Sequence, residues 1–331
     1  MAGFCDRILS NREVLVLDKK FASKVLFLIL LLSCSALFRP AEALVINNYS
    51  SDPTLYDRFV SGTYPGSPTP NPNFFASSYD WSGVGWMTAN QMRSITMVSP
   101  LHFVVANHWQ IPSGSSVTFL NGDGDLKNYT VDKYSTFSFT DGDGTHTSDL
   151  ALGWLTAPIP EADDIAHYSV LNADDPATPE FDLGWYLNKD IYVYGWYAKA
   201  GENTISDLTW AYSTNYPNPY ADLTFTSTFD YDNLGYHPGL AGGEPGDSGS
   251  PTLMPWNGQL TVLGTHFGVS DLQPAATWTT YDAFVPVYIE DMNLAMESSG
   301  YSVDTINVIP EPATCILFLA GLPYLLRRQR R

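Results

Sequence analysis

Between residues 84 and 287 short apolar and β-branched runs alternate with clusters of Gly, Asn, Asp, Ser and Pro. That is the rhythm of strands and turns rather than of amphipathic helices. The runs predict strands at 84–87, 94–99, in the stretch ending at His108, and at 116–120, 128–133 and 150–155. A second set is predicted at 191–196, 207–213, 222–228, 251–254, 260–267 and 281–287. One helix is predicted, at 288–298, with Ile289, Met292 and Met296 on one face. Residues 61–78 are dense in Pro and Ser and predict an extended linker or a segment that wraps the body. Heptads and solenoid repeats are lacking, so the pattern is all-β.

Two terminal segments break this pattern. Lys19, Lys20 and Lys24 precede the apolar run Val25–Phe38, which is followed by Pro40-Ala41-Glu42-Ala43. A basic start, a hydrophobic centre too short for a membrane span and an Ala-x-Ala exit are the parts of a secretory signal cut after Ala43. A lipoprotein reading at Cys34 is the alternative, and Leu32 suits it poorly. At the other end Pro310-Glu311-Pro312 leads into the apolar stretch Cys315–Leu326 and then Arg327-Arg328-Gln329-Arg330-Arg331. This closely resembles the PEP-CTERM sorting signal of Gram-negative bacteria. The resemblance implies export to the envelope or beyond, transient membrane association through the tail, and its removal by an exosortase after signal peptidase has acted at the front. A short tail anchor that stays in place is the alternative. The expected divisions are 1–43 signal, 44–80 N-terminal extension, 81–180 and 181–303 two β units, the second with the helix, and 304–331 tail.

Charge sharpens the picture. Of 331 residues, 16 are basic and 35 acidic. Between residues 44 and 308 the counts are six and thirty, a net of −24. Nucleic-acid binding needs a basic footprint, so that class of partner is excluded. Cys5, Cys34 and Cys315 all lie in the terminal segments, which leaves the body without cysteine and dependent on packing alone.

The chemistry centres on Gly242-Gly243-Glu244-Pro245-Gly246-Asp247-Ser248-Gly249-Ser250-Pro251. Glycines let backbone N–H groups crowd a reacting carbonyl. Those of Gly246 and Ser248 could form an oxyanion hole, worth roughly 2.7–4 kcal/mol per donor. Ser248 needs a base, and the base an orienting group. His108 ends an apolar strand and Asp149 opens the run Leu150-Ala151-Leu152. His108, Asp149 and Ser248 are separated by 41 and 99 residues. In that order and context they resemble the trypsin/chymotrypsin-like serine endopeptidases over about residues 80–302. The resemblance implies two antiparallel six-stranded β-barrels, a closing C-terminal helix and a site in the crevice between the barrels. There His108 would be the general base, Asp149 its orienter and Ser248 the nucleophile acting on protein or peptide substrates, with no cofactor required. Ser250 replaces the last glycine of an α/β-hydrolase elbow, which excludes that fold. Asn107 and Trp109 depart from the residues usual beside the histidine.

Further expectations follow from the same resemblance. Gly242 would lie at the base of the substrate pocket, arguing against a preference for Lys or Arg, and Thr265-His266-Phe267-Gly268 would form one wall. His266 would then favour Glu or Asp before the cut; a backbone-bonded His266 with an apolar pocket is the alternative. Asp247 would pair internally or with the Leu44 amine, in an enzyme that needs no zymogen cut. Asp123, Asp125, Asp141 and Asp143 stand where some relatives hold calcium, although Asp-Gly is also the commonest tight-turn pair. Against the endopeptidase reading stands a protease-fold protein that binds without catalysis at the cell surface or in the extracellular matrix. Farther off is an envelope protein in which the three residues are coincidental.

Overall fold

The computed structural model describes residues 44–47, 49–141, 144–173, 183–213, 220–230, 241–242, 246–270 and 277–308. The signal, the sorting tail, Asp143 and the Gly243–Pro245 part of the serine motif lie outside the described residues.

The chain forms seventeen described strands and one described α-helix. The first half contains β1 (Val45–Ile46), β2 (Val84–Met87), β3 (Asn90–Met97), β4 (His102–Ala106), β5 (Ser116–Leu120), β6 (Leu126–Asp141), β7 (Gly144–Leu155) and β8 (Val170–Asn172). The second contains β9 (Asp190–Gly195), β10 (Lys199–Thr204), β11 (Asp207–Ser213), β12 (Tyr220–Asp230), β13 (Ala241–Gly242), β14 (Pro251–Trp256), β15 (Gln259–Val269), β16 (Thr277–Phe284), the helix α1 (Ile289–Met296) and β17 (Thr305–Asn307).

Strands β2 to β7 close a six-membered antiparallel barrel in the order β4-β3-β2-β5-β6-β7, with β7 returning to β4. The second unit runs β10-β9-β14-β15-β16-β12 with β11 added outside β12. It curls until Asn203 of β10 donates to the Thr228 carbonyl of β12 at 3.4 Å. The architecture is all-β as expected, with one closed six-stranded antiparallel barrel, a second curled sheet and a short C-terminal helix.

Strands β4 and β7 read as nearly unbroken apolar runs because both of their faces are buried. Phe103, Val105 and Ala151 point into the first barrel with Ile95, Met97, Val117 and Phe119. Val104, Leu150, Leu152 and Trp154 point the other way, into a core shared with Leu253, Val262, Ala283 and Met292. Apolar side chains of both units therefore meet at the seam between them. Whatever follows β4 or precedes the apolar part of β7 emerges at that seam.

Residues 49–80 behave as the wrapping segment. Tyr56, Phe59, Phe74 and Ala76 are buried, Phe59 and Phe74 sit edge-on to Trp86 and Trp81, and Trp81 stacks on Tyr194 of the second unit. The C-terminal helix is shorter than the predicted 288–298. A 3-10 turn at Val285–Tyr288, with a proline in it, precedes α1, and another at Glu297–Ser299 follows before Gly300, at φ +77°, ends it.

Glycine matters inside the barrel at Gly85, packed against Phe119, and most tightly at Gly153. A Cβ on Gly153 would lie 2.2 Å from the Phe103 ring, which is itself fully buried. Gly153→Ala is expected to destabilise the protein by about 1–3 kcal/mol through overpacking. Urea denaturation checks this, and an unchanged midpoint would mean that the barrel interior is loosely packed.

Candidate active site

Strand β4 ends at Ala106, where the chain turns into a 3-10 turn, Asn107–Trp109. Because Ala106 pairs with Leu150, the turn lands beside Asp149. The His108 backbone N–H donates to Asp149 Oδ1 at 2.9 Å and its ring Nδ1 lies 2.7 Å from Oδ2. A carboxylate can only accept, so Nδ1 carries a proton, and in the neutral ring the lone pair then lies on Nε2. That is the tautomer a general base requires. Burial holds the Asp149 carboxyl above its usual value, and its hydrogen bonds and charge attraction to His108 offset only part of that rise.

The departures beside His108 support the same geometry. Asn107 Nδ2 donates to the Ser148 carbonyl at 3.0 Å and its Oδ1 accepts from Gln110 at 2.7 Å, which ties the turn to β7. Trp109 lies 4.3 Å beneath the Arg93 guanidinium. The nearby His102 is a different kind of residue. It is fully buried between Ser99 and Ser299, and burial lowers its pKa to about 4, so it is a neutral structural imidazole.

Ser248 comes from the other unit on a loop bent by two glycines in the left-handed half of backbone space, Gly246 at φ +111° and Gly249 at φ +79°. Gly249 is pressed against the end of the histidine strand: a Cβ there would be 3.0 Å from Val105 Cγ2 and 3.2 Å from the Ala106 nitrogen. Only glycine permits that approach, and it sets Ser248 one residue from the strand end that leads to His108. Gly249 N–H donates to the His266 carbonyl at 3.2 Å and Ser250 N–H to the Asp247 carbonyl at 2.9 Å. Among the described residues no acceptor takes the N–H groups of Gly246 or Ser248.

Asp247 anchors this loop from beneath. Its Oδ2 accepts from the Leu44 nitrogen at 3.0 Å and its Oδ1 from the Trp196 N–H at 2.6 Å. In the uncut chain the Leu44 group is a peptide N–H, so Asp247 is paired internally with two backbone donors. Leu44 is held in place by the pairing of β1 with β13, in which Gly242 lies opposite Val45.

His266 is fully enclosed. Its Nδ1 meets Asp282 and its Nε2 lies 2.7 Å from the Tyr194 carbonyl. Both nitrogens therefore carry protons. Burial alone would lower the pKa, but Asp282, Asp247 and the carbonyl together lift it to about 9. This is the backbone-bonded alternative rather than a ring presented to a substrate. Thr265 is buried beside it, whereas Phe267 sits at an irregularity in the β15–β16 register and Gly268 faces open space. Such bulges re-aim side chains next to functional loops.

Asp123 and Asp125 are exposed, on a turn in which Asn121 Oδ1 accepts from the Asp125 N–H at 2.7 Å. The side chains of Asp141 and Asp143 lie outside the described residues. Among the described residues no three His, Cys, Asp or Glu side chains converge as metal ligands would.

Sequence reasoning missed the groups behind Asp149. Asp222 accepts from the Asp149 N–H and, at 2.7 Å, from Ser148 Oγ; Tyr288 OH donates to it as well. The available signal was an aspartate alternating with Thr224 and Thr226 on one face of a predicted strand. A charge on a buried face is costly unless it is satisfied or used.

No protein-family profile matches this chain, and no curated protein matches it. Among solved structures it is similar to kallikrein-related peptidase 10, with 13% identity, 65% of this chain and 94% of that chain covered, and a TM-score of 0.41. That likeness is too distant to add to what the strands themselves define.

The His266 pairing generates a test. A histidine pKa raised to about 9 stabilises the fold fully below the unfolded value of about 6.5 and ceases to do so as pH rises through about 9. Asp222, raised to about 7, also makes stability fall with rising pH, so the two groups must be separated. The difference in urea midpoint between wild type and His266→Gln is expected to be largest near pH 6 and to shrink through pH 9. A difference that stays constant over this range would contradict a protonated His266.

Proposed function

We propose that this protein is an exported serine endopeptidase using Ser248 as nucleophile, His108 as general base and Asp149 as the group that fixes the imidazole. The supporting observation is the double hydrogen bond between His108 and Asp149 at a buried seam, with the Ser248 loop pressed against the same strand end. In this reading His108 Nε2 takes the Ser248 proton as Oγ attacks the scissile carbonyl. The developing oxyanion is received by the Gly246 and Ser248 N–H groups. The imidazolium then gives its proton to the leaving amine, and water repeats the cycle on the acyl-enzyme.

The pocket reading changes with His266. With both ring nitrogens committed it has no N–H to offer an acidic side chain, so the proposal takes apolar side chains before the scissile bond. Export is proposed to proceed by signal peptidase cleavage after Ala43 and sorting through the Pro-Glu-Pro tail. That first cut would leave the Leu44 amine facing the Asp247 carboxylate, so no later activating cut is needed.

A fluorophosphonate probe should label the mature chain starting at Leu44 without any further processing and should not label Ser248→Ala. Protein that remains unlabelled until clipped near residue 80 would overturn the activation scheme, and protein unlabelled under all conditions would overturn the hydrolase. A peptide library should be cut preferentially after apolar residues. Preferential cleavage after Glu would restore His266 to the pocket.

A further inference from the structure

Strand β12 supplies none of the three residues just assigned, yet three donors from outside it converge on one of its carboxylates. Asp222 Oδ2 accepts the Asp149 N–H, while Oδ1 accepts Ser148 Oγ–H at 2.7 Å and Tyr288 O–H. Asp222, Ser148 and Asp149 are wholly buried and Tyr288 nearly so. No lysine or arginine bonds to Asp222 among the described residues. The groups facing it are Asp149, and through it His108, on the β7 side, and Tyr288 on the side of the helix, where Asp291 acts in turn on Tyr288.

Both Asp222 oxygens are used, Oδ2 by the Asp149 N–H and Oδ1 by the two hydroxyls, so an amide with its single oxygen could not accept from all three donors. The carboxylate also brings charge, and burying charge without a counter-ion is expensive. The cation within reach is one that forms during the reaction, the protonated imidazole on the far side of Asp149. Negative charge behind Asp149 favours that imidazolium and so strengthens His108 as a base.

We propose that Asp222 is a positioning residue for His108: it fixes the Asp149 peptide and, when ionised, makes the His108 imidazole more basic. Burial and the charge of Asp149 raise its own carboxyl to about 7 against the pull of its three donors, so its ionisation falls in the range where the imidazole works. The inference rests on the reading of His108 as general base.

The test uses Asp222→Asn in the mature chain, which keeps the side-chain size but removes the charge and one of the two acceptor oxygens. The His108 ring is followed by NMR as a function of pH, a readout that does not depend on hydrolysis. Its titration is expected to fall by about one pH unit in Asp222→Asn. With peptide substrate, kcat is expected to fall roughly 10–100-fold with KM within about twofold, and the acid limb of the pH profile should move down with the ring titration. A His108 titration at the same pH in both proteins overturns the proposal. Should Asp222→Asn fail to fold, Tyr288→Phe removes one donor and leaves the carboxylate. In carbon-13-labelled protein the Asp222 carboxyl should then titrate at higher pH and His108 at lower pH, and unmoved titrations overturn the proposal. Failure of the wild type to react with a fluorophosphonate would instead sink the hydrolase reading while leaving the ring titration interpretable.

Discussion

A single buried carboxylate organises the seam of this protein. Asp149 is fully buried, which disfavours its charge, and the two donors of His108, backbone and ring, work against that. Removing one partner of a buried charged pair typically costs about 3–5 kcal/mol. The surroundings follow from that constraint. The turn after β4 must place N–H and ring together, Asn107 must tie the turn to β7, and the Asp149 peptide must be held from behind. The last task falls to Asp222, which comes from the other unit. The site is thus built by both units even before Ser248 is considered.

The serine loop follows the same logic with different charges. Its bend needs two glycines at positive φ, and its underside carries the Asp247 carboxylate, buried and bound to the Leu44 and Trp196 nitrogens. Beneath it His266, protonated between Asp282 and the Tyr194 carbonyl, adds positive charge to a strongly acidic body. The Gly249 and Ser250 N–H groups are spent on the His266 and Asp247 carbonyls, and the Ser250 carbonyl accepts from the His266 N–H. Rigidity is supplied by buried charge, in a body with no cysteine to supply it by cross-linking.

Much of this was legible in the sequence because the informative signals are local. Strand β4 and the apolar part of β7 declare themselves by uninterrupted apolar runs, and the glycines around Ser248 by their spacing. The His108–Asp149 pairing was implied by the resemblance that the order of His108, Asp149 and Ser248 carries, and the apolar runs show only that each adjoins a buried strand. Other features depend on contacts distant in the chain. Strand β10, Lys199–Thr204, has no β-branched pattern and exists because it pairs with β9. Strand β6 extends well beyond 128–133 because β7 pairs with it through two register shifts, whatever its side chains. His266 looked like a pocket residue from its neighbours Thr265 and Phe267, but Asp282, sixteen residues away on the adjacent strand, captures its ring. Asp222 was invisible as a site residue for a similar reason: its partners lie 73, 74 and 66 residues away.

The central claim is that the buried His108–Asp149 couple meets the Ser248 hydroxyl in one cleft. A crystal structure of the mature chain covalently trapped at Ser248 by a phosphonate inhibitor tests it most directly. The account predicts a phosphoryl oxygen within about 2.7–3.1 Å of the Gly246 and Ser248 nitrogens, and His108 Nε2 within hydrogen-bond reach of the adduct. An adduct whose oxygens point into solvent, with the imidazole more than a water's width away, would contradict it.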